Sequence, residues 1–228
     1  DTYTRSTFSL DYLLNCKATR EEKERIRQVV RAVLKYHGKK RFFNKLTGPA
    51  RIGYLSDIFP DARFVHIIRD PRAVVSSLLK VNFWSNNNGF SAPWWQNGLR
   101  EKYLEMWEKS GKNPCVLAAV QWRQIIEHAR DESNERLLGK NKYHEVRYES
   151  FLSNPKHMLN QILAFANLSS SSKVIESLNK RTKIVNMNLK FFKHLNKNDI
   201  RAIENICEPL MHIFHYKKIN ESNFDNMP

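Results

Sequence analysis

FPDARFVHIIRDPRAVVSSLLK, residues 59–80, decides how this chain is read. Phe64, Val65, Ile67 and Ile68 form a short apolar run broken only by His66. Apolar character on both faces predicts a buried strand of a parallel sheet. Arg69-Asp70-Pro71 stops that strand: Pro71 suits the first helical position, and Asp70 before it suits the N-cap. Ala73, Val74, Val75, Leu78 and Leu79 continue as one helical apolar stripe, flanked by Ser76 and Ser77. A strand, a tight turn and a helix together set a fixed cation, Arg69, beside open backbone N–H groups, and that is physically an anion site. An ordinary turn whose arginine makes an ion pair has the same pattern.

Outward from this stretch, alternation sets the fold class. Thr19 and Glu22 form a capping-box pattern ahead of Ile26, Val29, Val30, Val33 and Leu34, and Gly38 ends the helix they predict. Phe42–Leu46 reads as a short strand and Ala50–Ile58 as a short helix. Helix, strand, helix, strand, helix predicts an α/β fold with a parallel sheet flanked by helices. Val81–Lys112 holds Trp84, Trp94, Trp95 and Trp107 around an Asn-rich centre, which reads as a long irregular lid or acceptor-binding loop with at least two of the four packing the core. Pro114–Asp131 is a helix, Lys142–Glu149 a strand, and Met158–Phe165 lies on a further helix. Asn198–Phe214 closes the chain with Ile203, Ile206, Leu210 and Met211 on one face. Asp1–Cys16 reads as irregular with a short helix near Leu10–Leu14, and Ile219–Pro228 as a frayed tail.

Charge narrows the function. The net charge is +15 over 228 residues. Lys17–Arg51 holds twelve Lys/Arg against three Glu, and Lys173–Lys197 seven against one, which together account for the whole excess. Focused positive charge attracts polyanions, either nucleic acid or a multiply phosphorylated small molecule. No helix-turn-helix, zinc or RNA-binding signature is present, so specific nucleic-acid recognition is not expected. A GxxxxGK[ST] phosphate loop is also absent, which argues against a P-loop kinase. Cys16, Cys115 and Cys207 are an odd, widely spaced set without metal-ligand spacing, which predicts a reduced, cytoplasmic setting and no metal. No run approaches a membrane span, so no membrane contact is expected of this chain.

The central segment, FPDARFVHIIRDPRAVVSSL, resembles the 3′-phosphate-binding segment of the sulfotransferase family. The resemblance implies that Arg69 and Ser77, eight positions apart, hold the 3′-phosphate of the donor 3′-phosphoadenosine-5′-phosphosulfate. A helical wheel does not choose between Ser76 and Ser77; the resemblance does. FNKLTGPARIGYLSD, upstream of it, fits the same family, whose members carry a lysine at this strand end. Cytosolic members place a general-base histidine just after it, where this chain has Lys45-Leu46-Thr47. Thr47 is a poor base. Lys45 is the catalytic candidate, either as a base if burial or nearby cations keep it neutral, or as a charge stabilising the transferring group. VRYESFLSNP, followed by a helix ending in FANL, resembles the family's adenine-binding segment, implying that Tyr148 meets the adenine while Glu149 supports the loop. LKFFKHLNKNDI corresponds to the basic loop that closes over the nucleotide, with Lys190 and Lys193 as candidates. ICEPLMHIFHY resembles the family's terminal helix.

The resemblance spans about residues 40–215. It implies one sulfotransferase-like domain over residues 1–228, with a P-loop-NTPase-like sheet. Products would be 3′,5′-adenosine bisphosphate and a sulfated hydroxyl or amine. The family's first strand and its Gly-containing PRSGT-type loop have no counterpart: Thr4-Arg5-Ser6-Thr7 lacks the glycine and the preceding strand. A truncated or inactive form is therefore expected, with sheet edges that favour a homodimer. The alternatives are a basic nucleic-acid-binding module or another P-loop-like nucleotide-binding protein.

Overall fold

The computed structural model describes residues 12–14, 16–46, 48–85, 98–135, 141–170, 172, 174, 176, 178 and 187–220. These divide into two compact units, residues 1–64 with 125–142, and residues 65–124 with 143–228.

In the first unit the predicted capping signals are all realised. Helix α1, Arg20–His37, begins at Thr19, whose hydroxyl accepts from Glu22 N while the Glu22 carboxylate accepts from Thr19 N at 2.7 Å. Gly38 ends it at φ 60°, a left-handed conformation open to glycine at no steric cost. Helix α2, Ile52–Ile58, packs beside α1. Leu13, Ala18, Tyr54 and Ile58 form the local core, with Ile26 and Phe59 against it. Asp57 ties the two helices, accepting from Ala18 N and from Lys23 Nζ, each at 2.9 Å.

Two sequence expectations fail here. Phe42–Leu46 forms no strand; it is irregular and open to solvent, with Phe43 90% exposed. An apolar run forms a strand only where a neighbour completes its ladder, and none pairs with it among the described residues. Tyr12–Leu14 is not helical, while residues 1–11 lie outside the described set.

Strand β1, Phe64–Ile68, pairs with β2, Tyr143–Arg147, in a two-stranded sheet. The strands run parallel, with Phe64 N donating to Lys142 O at 2.7 Å beside their starts. Thus the protein is helix-rich with a small parallel sheet, compatible with the expected α/β class. The larger sheet expected from alternation is not seen among the described residues. β1 is also not buried on both faces: Ile68 is buried but Ile67 is 60% exposed, because two strands cannot cover that side.

The second unit builds outward from these strands. Helix α3, Pro71–Leu78, starts at the predicted N-cap, Asp70 accepting from Arg72 N at 2.9 Å. The stretch expected to be irregular carries helices α4, Asn82–Ser85, and α5, Glu101–Lys109; residues 86–97, with Trp94 and Trp95, lie outside the described set. Trp84 and Trp107 are fully buried, as core packing requires. Helix α6, Pro114–Glu135, is apolar nearly all round from Cys115 to Trp122 and accordingly buried. Its two buried glutamines hold the neighbouring segment. Gln121 accepts from Trp84 Nε1 at 3.0 Å, and Gln124 accepts from Arg100 N at 2.7 Å.

After β2 come α7, Tyr148–Ser153, and α8, Pro155–Phe165, then a 3₁₀ helix, Asn188–Lys193. The closing helix α9, Lys197–Ile213, carries a second capping box, Asn196 with Asp199, and buries Ile203, Ile206, Leu210 and Met211 as its sequence predicts. Both α9 and the 3₁₀ helix pack on α3. The expected frayed tail does not begin at Ile219, which is buried and donates its N–H to Glu204 at 2.9 Å. Among the described residues no helix is long and apolar enough to cross a membrane.

Candidate functional site

The turn after β1 contains two arginines with opposite fates. Arg72 is buried and ion-paired to Asp70 at 2.6 Å and to Glu204 at 2.7 Å. Burial alone would lower its pKa, but the two carboxylates more than offset that, and the net shift is upward. Nη1 also donates to Lys217 O at 3.0 Å. Arg72 is therefore a structural cation, fully matched by its surroundings.

Arg69 is different. It is half-buried, and among the described residues no carboxylate pairs with it. Its Nε donates to Asn188 Oδ1 at 2.7 Å, and its guanidinium lies 4.9 Å from the centre of the Tyr148 ring. Its backbone carbonyl accepts from Trp122 Nε1 at 3.0 Å. So the ion pair that an ordinary turn would give its arginine is made by Arg72, three residues along. Arg69 is left fixed at one nitrogen and one face, with its terminal N–H donors uncommitted among the described residues.

Glu149 stands behind it as a hub. One carboxylate oxygen accepts from Asp70 N at 3.1 Å and from Asn188 Nδ2 at 2.5 Å. The other accepts from the Tyr216 hydroxyl at 2.7 Å. Tyr216 also lies 3.3 Å from Ile68 O, with the Arg147 guanidinium 4.7 Å over its ring. Burial, then the bond to the Glu149 carboxylate, pushes the Tyr216 hydroxyl well above its ordinary pKa, while Arg147 pulls weakly the other way. It stays a proton donor throughout the physiological range. Glu149 thus braces the turn from within the protein, the role that the resemblance implied for it.

The structure brings Arg69 and Tyr148 into contact and sets the 3₁₀ helix carrying Lys190 and Lys193 against α3, both lysines exposed. On α3 the two serines separate cleanly: Ser76 is buried and Ser77 exposed. Lys45 is exposed on the irregular segment of the first unit. Among the described residues no cluster of His, Cys, Asp or Glu could hold a metal.

With the site in place, the comparison with known families is decisive. The profile of the sulfotransferase family matches residues 11–172. The chain belongs to that family. No curated protein is similar enough to match. The matched part of this sulfotransferase contains Lys45, Arg69, Ser77 and Tyr148, and its membership makes the chain a transferase. It starts earlier than the quoted resemblance and ends before Asn188, Lys190, Lys193, Glu204 and Tyr216.

Those last residues include ones that sequence reasoning missed. An acid and an arginine two apart, Asp70 and Arg72, were a usable signal for a local ion pair. Nothing in the sequence marks Asn188, 119 positions from the arginine it holds.

Proposed function

We propose that this sulfotransferase moves a sulfuryl group from 3′-phosphoadenosine-5′-phosphosulfate to a hydroxyl or amine acceptor. One observation carries the reading: Arg69, half-buried, braced by Asn188 and Tyr148, has no carboxylate partner among the described residues. A braced guanidinium with its fork left over suits bidentate capture of a phosphate. Arg69 and the exposed Ser77 take the 3′-phosphate, Tyr148 meets the adenine, and Lys190 and Lys193 add positive charge from the 3₁₀ helix. In the transfer, the acceptor oxygen or nitrogen bonds to sulfur as the bond from sulfur to the phosphate oxygen breaks. The acceptor's proton leaves with that change. Rate comes from alignment and from stabilising charge. Lys45, which the resemblance places near the transferring group, is the proposed stabilising cation.

Isothermal titration with 3′,5′-adenosine bisphosphate tests this. The chain should bind it, and Arg69→Ala should abolish the contribution that the 3′-phosphate makes to that binding. Unchanged affinity in Arg69→Ala removes the nucleotide assignment. Binding to generic DNA with steep salt dependence, and none to the bisphosphate, would instead identify a nucleic-acid-binding module and account for the net charge of +15.

A further inference from the structure

We propose that Asn188 is a positioning residue that aims the Arg69 guanidinium and so sets the preference for a nucleotide carrying a 3′-phosphate; this rests on the nucleotide reading above. The orientation of the Asn188 amide is dictated by its partners. Arg69 Nε can only donate and the Glu149 carboxylate can only accept, so Oδ1 must face Arg69 and Nδ2 must face Glu149. One amide therefore joins a cation and an anion that make no direct pair. Had Glu149 paired with Arg69 itself, the carboxylate would compete with any bound phosphate for the same fork. Asn188 prevents that by standing between them, transmitting position without cancelling charge.

Around this amide every degree of freedom is used. Asn188 is buried at the start of the 3₁₀ helix. Glu149 is held by Asp70 N on one oxygen and by Tyr216 on the other, so the anchor of the amide is itself anchored. The Tyr148 ring limits tilt of the guanidinium plane. Nε is consumed by Asn188, which leaves the terminal pair as the face presented to a ligand. Asn188 and Tyr216 both lie beyond the part of the chain that the family profile matches, so this brace is supplied by the C-terminal segment.

The test measures a ratio. Dissociation constants for 3′,5′-adenosine bisphosphate and for adenosine 5′-monophosphate are compared in the unsubstituted chain, in Asn188→Leu, in Arg69→Ala and in the double variant. The two ligands share adenine and 5′-phosphate, so their ratio isolates the 3′-phosphate. Partial unfolding lowers the competent fraction equally for both and leaves the ratio unchanged. Asn188→Leu should lower the preference about tenfold while binding of the monophosphate holds, the scale of one charge-assisted bond misaligned. In the Arg69→Ala background it should change the ratio no further. Equal weakening of both ligands by Asn188→Leu, or an undiminished ratio, overturns the positioning role while leaving the nucleotide reading intact. An unsubstituted chain that shows no preference for the bisphosphate sinks the nucleotide reading and the positioning role with it. Should Asn188→Leu fail to fold, Tyr216→Phe removes one hydroxyl from the same brace and should lower the ratio about threefold; an unchanged ratio there also overturns the role.

Discussion

Replacing Glu204 by leucine should destabilise the protein by about 4 kcal/mol, the middle of the range for stripping one partner from a buried ion pair. The structure explains why that range applies. Glu204 is fully buried, and a single oxygen serves two donors, Arg72 Nη1 at 2.7 Å and Ile219 N at 2.9 Å. Leucine therefore weakens the pairing of a buried guanidinium and orphans a buried backbone N–H in one step. At this chain length each kcal/mol moves the melting temperature by about 2–4 °C, so a drop of roughly 8–16 °C is expected. Glu204→Gln keeps an acceptor oxygen and removes only the charge, and should cost about 2 kcal/mol. In the double variant Arg72→Leu/Glu204→Leu the apolar side chains replace the pair, and the loss should fall below the sum of the single losses by at least about 2 kcal/mol. Urea titrations of the unsubstituted chain, Glu204→Leu, Glu204→Gln, Arg72→Leu and the double variant, checked for a constant slope, give these values. A loss under about 1 kcal/mol for Glu204→Leu, or strict additivity in the double variant, would refute the claim that this pair locks α9 and the segment after it to α3.

Alkaline stability should be limited by two groups. Burial first, and then the charge and hydrogen bond of Asp199, push the Cys115 thiol up from 9.0 to about 12, and Tyr216 is also raised. A group whose folded pKa is raised stabilises fully below its unfolded pKa and loses that contribution as pH climbs toward the folded value. Unfolding free energy should therefore fall between about pH 9 and 12, with a shallower fall in Cys115→Ala; an identical slope in that variant would exclude the thiol as a cause. Self-association is the other expectation. Phe43 and Ile67 are open apolar side chains in the first and second units respectively, and size-exclusion chromatography should show a dimer that Phe43→Ser shifts toward monomer. A clean monomer of the unsubstituted chain would count against it.

What the sequence made legible was local. Thr19 with Glu22, Gly38, and Asp70 before Pro71 each act within a few residues of themselves, and each sits where its chemistry predicts. Pattern failed where the outcome depends on a distant neighbour. Phe42–Leu46 is apolar enough for a strand, but a strand is made by its partner's carbonyls, which composition cannot show. Arg69 was legible as a cation at a strand end, yet that no carboxylate among the described residues pairs with it is matched by Asp70 and Glu204 both turning to Arg72. The choice between Ser76 and Ser77 is undetermined on a helical wheel; the packing of α3 buries the first and leaves the second open.

The hold on the segment after α9 is made through main-chain atoms: Arg72 takes the carbonyl of Lys217 and Glu204 takes the amide of Ile219. A clasp of that kind is indifferent to side-chain identity and strict about spacing. Exchange at residue 217 leaves both grips in place and exchange at 218 gives up only the exposed ion pair of Lys218 with Glu208, whereas adding or removing a single amino acid between Tyr216 and Ile219 would unhook one grip or the other. Diversity introduced here should be tolerated as substitution and rejected as insertion.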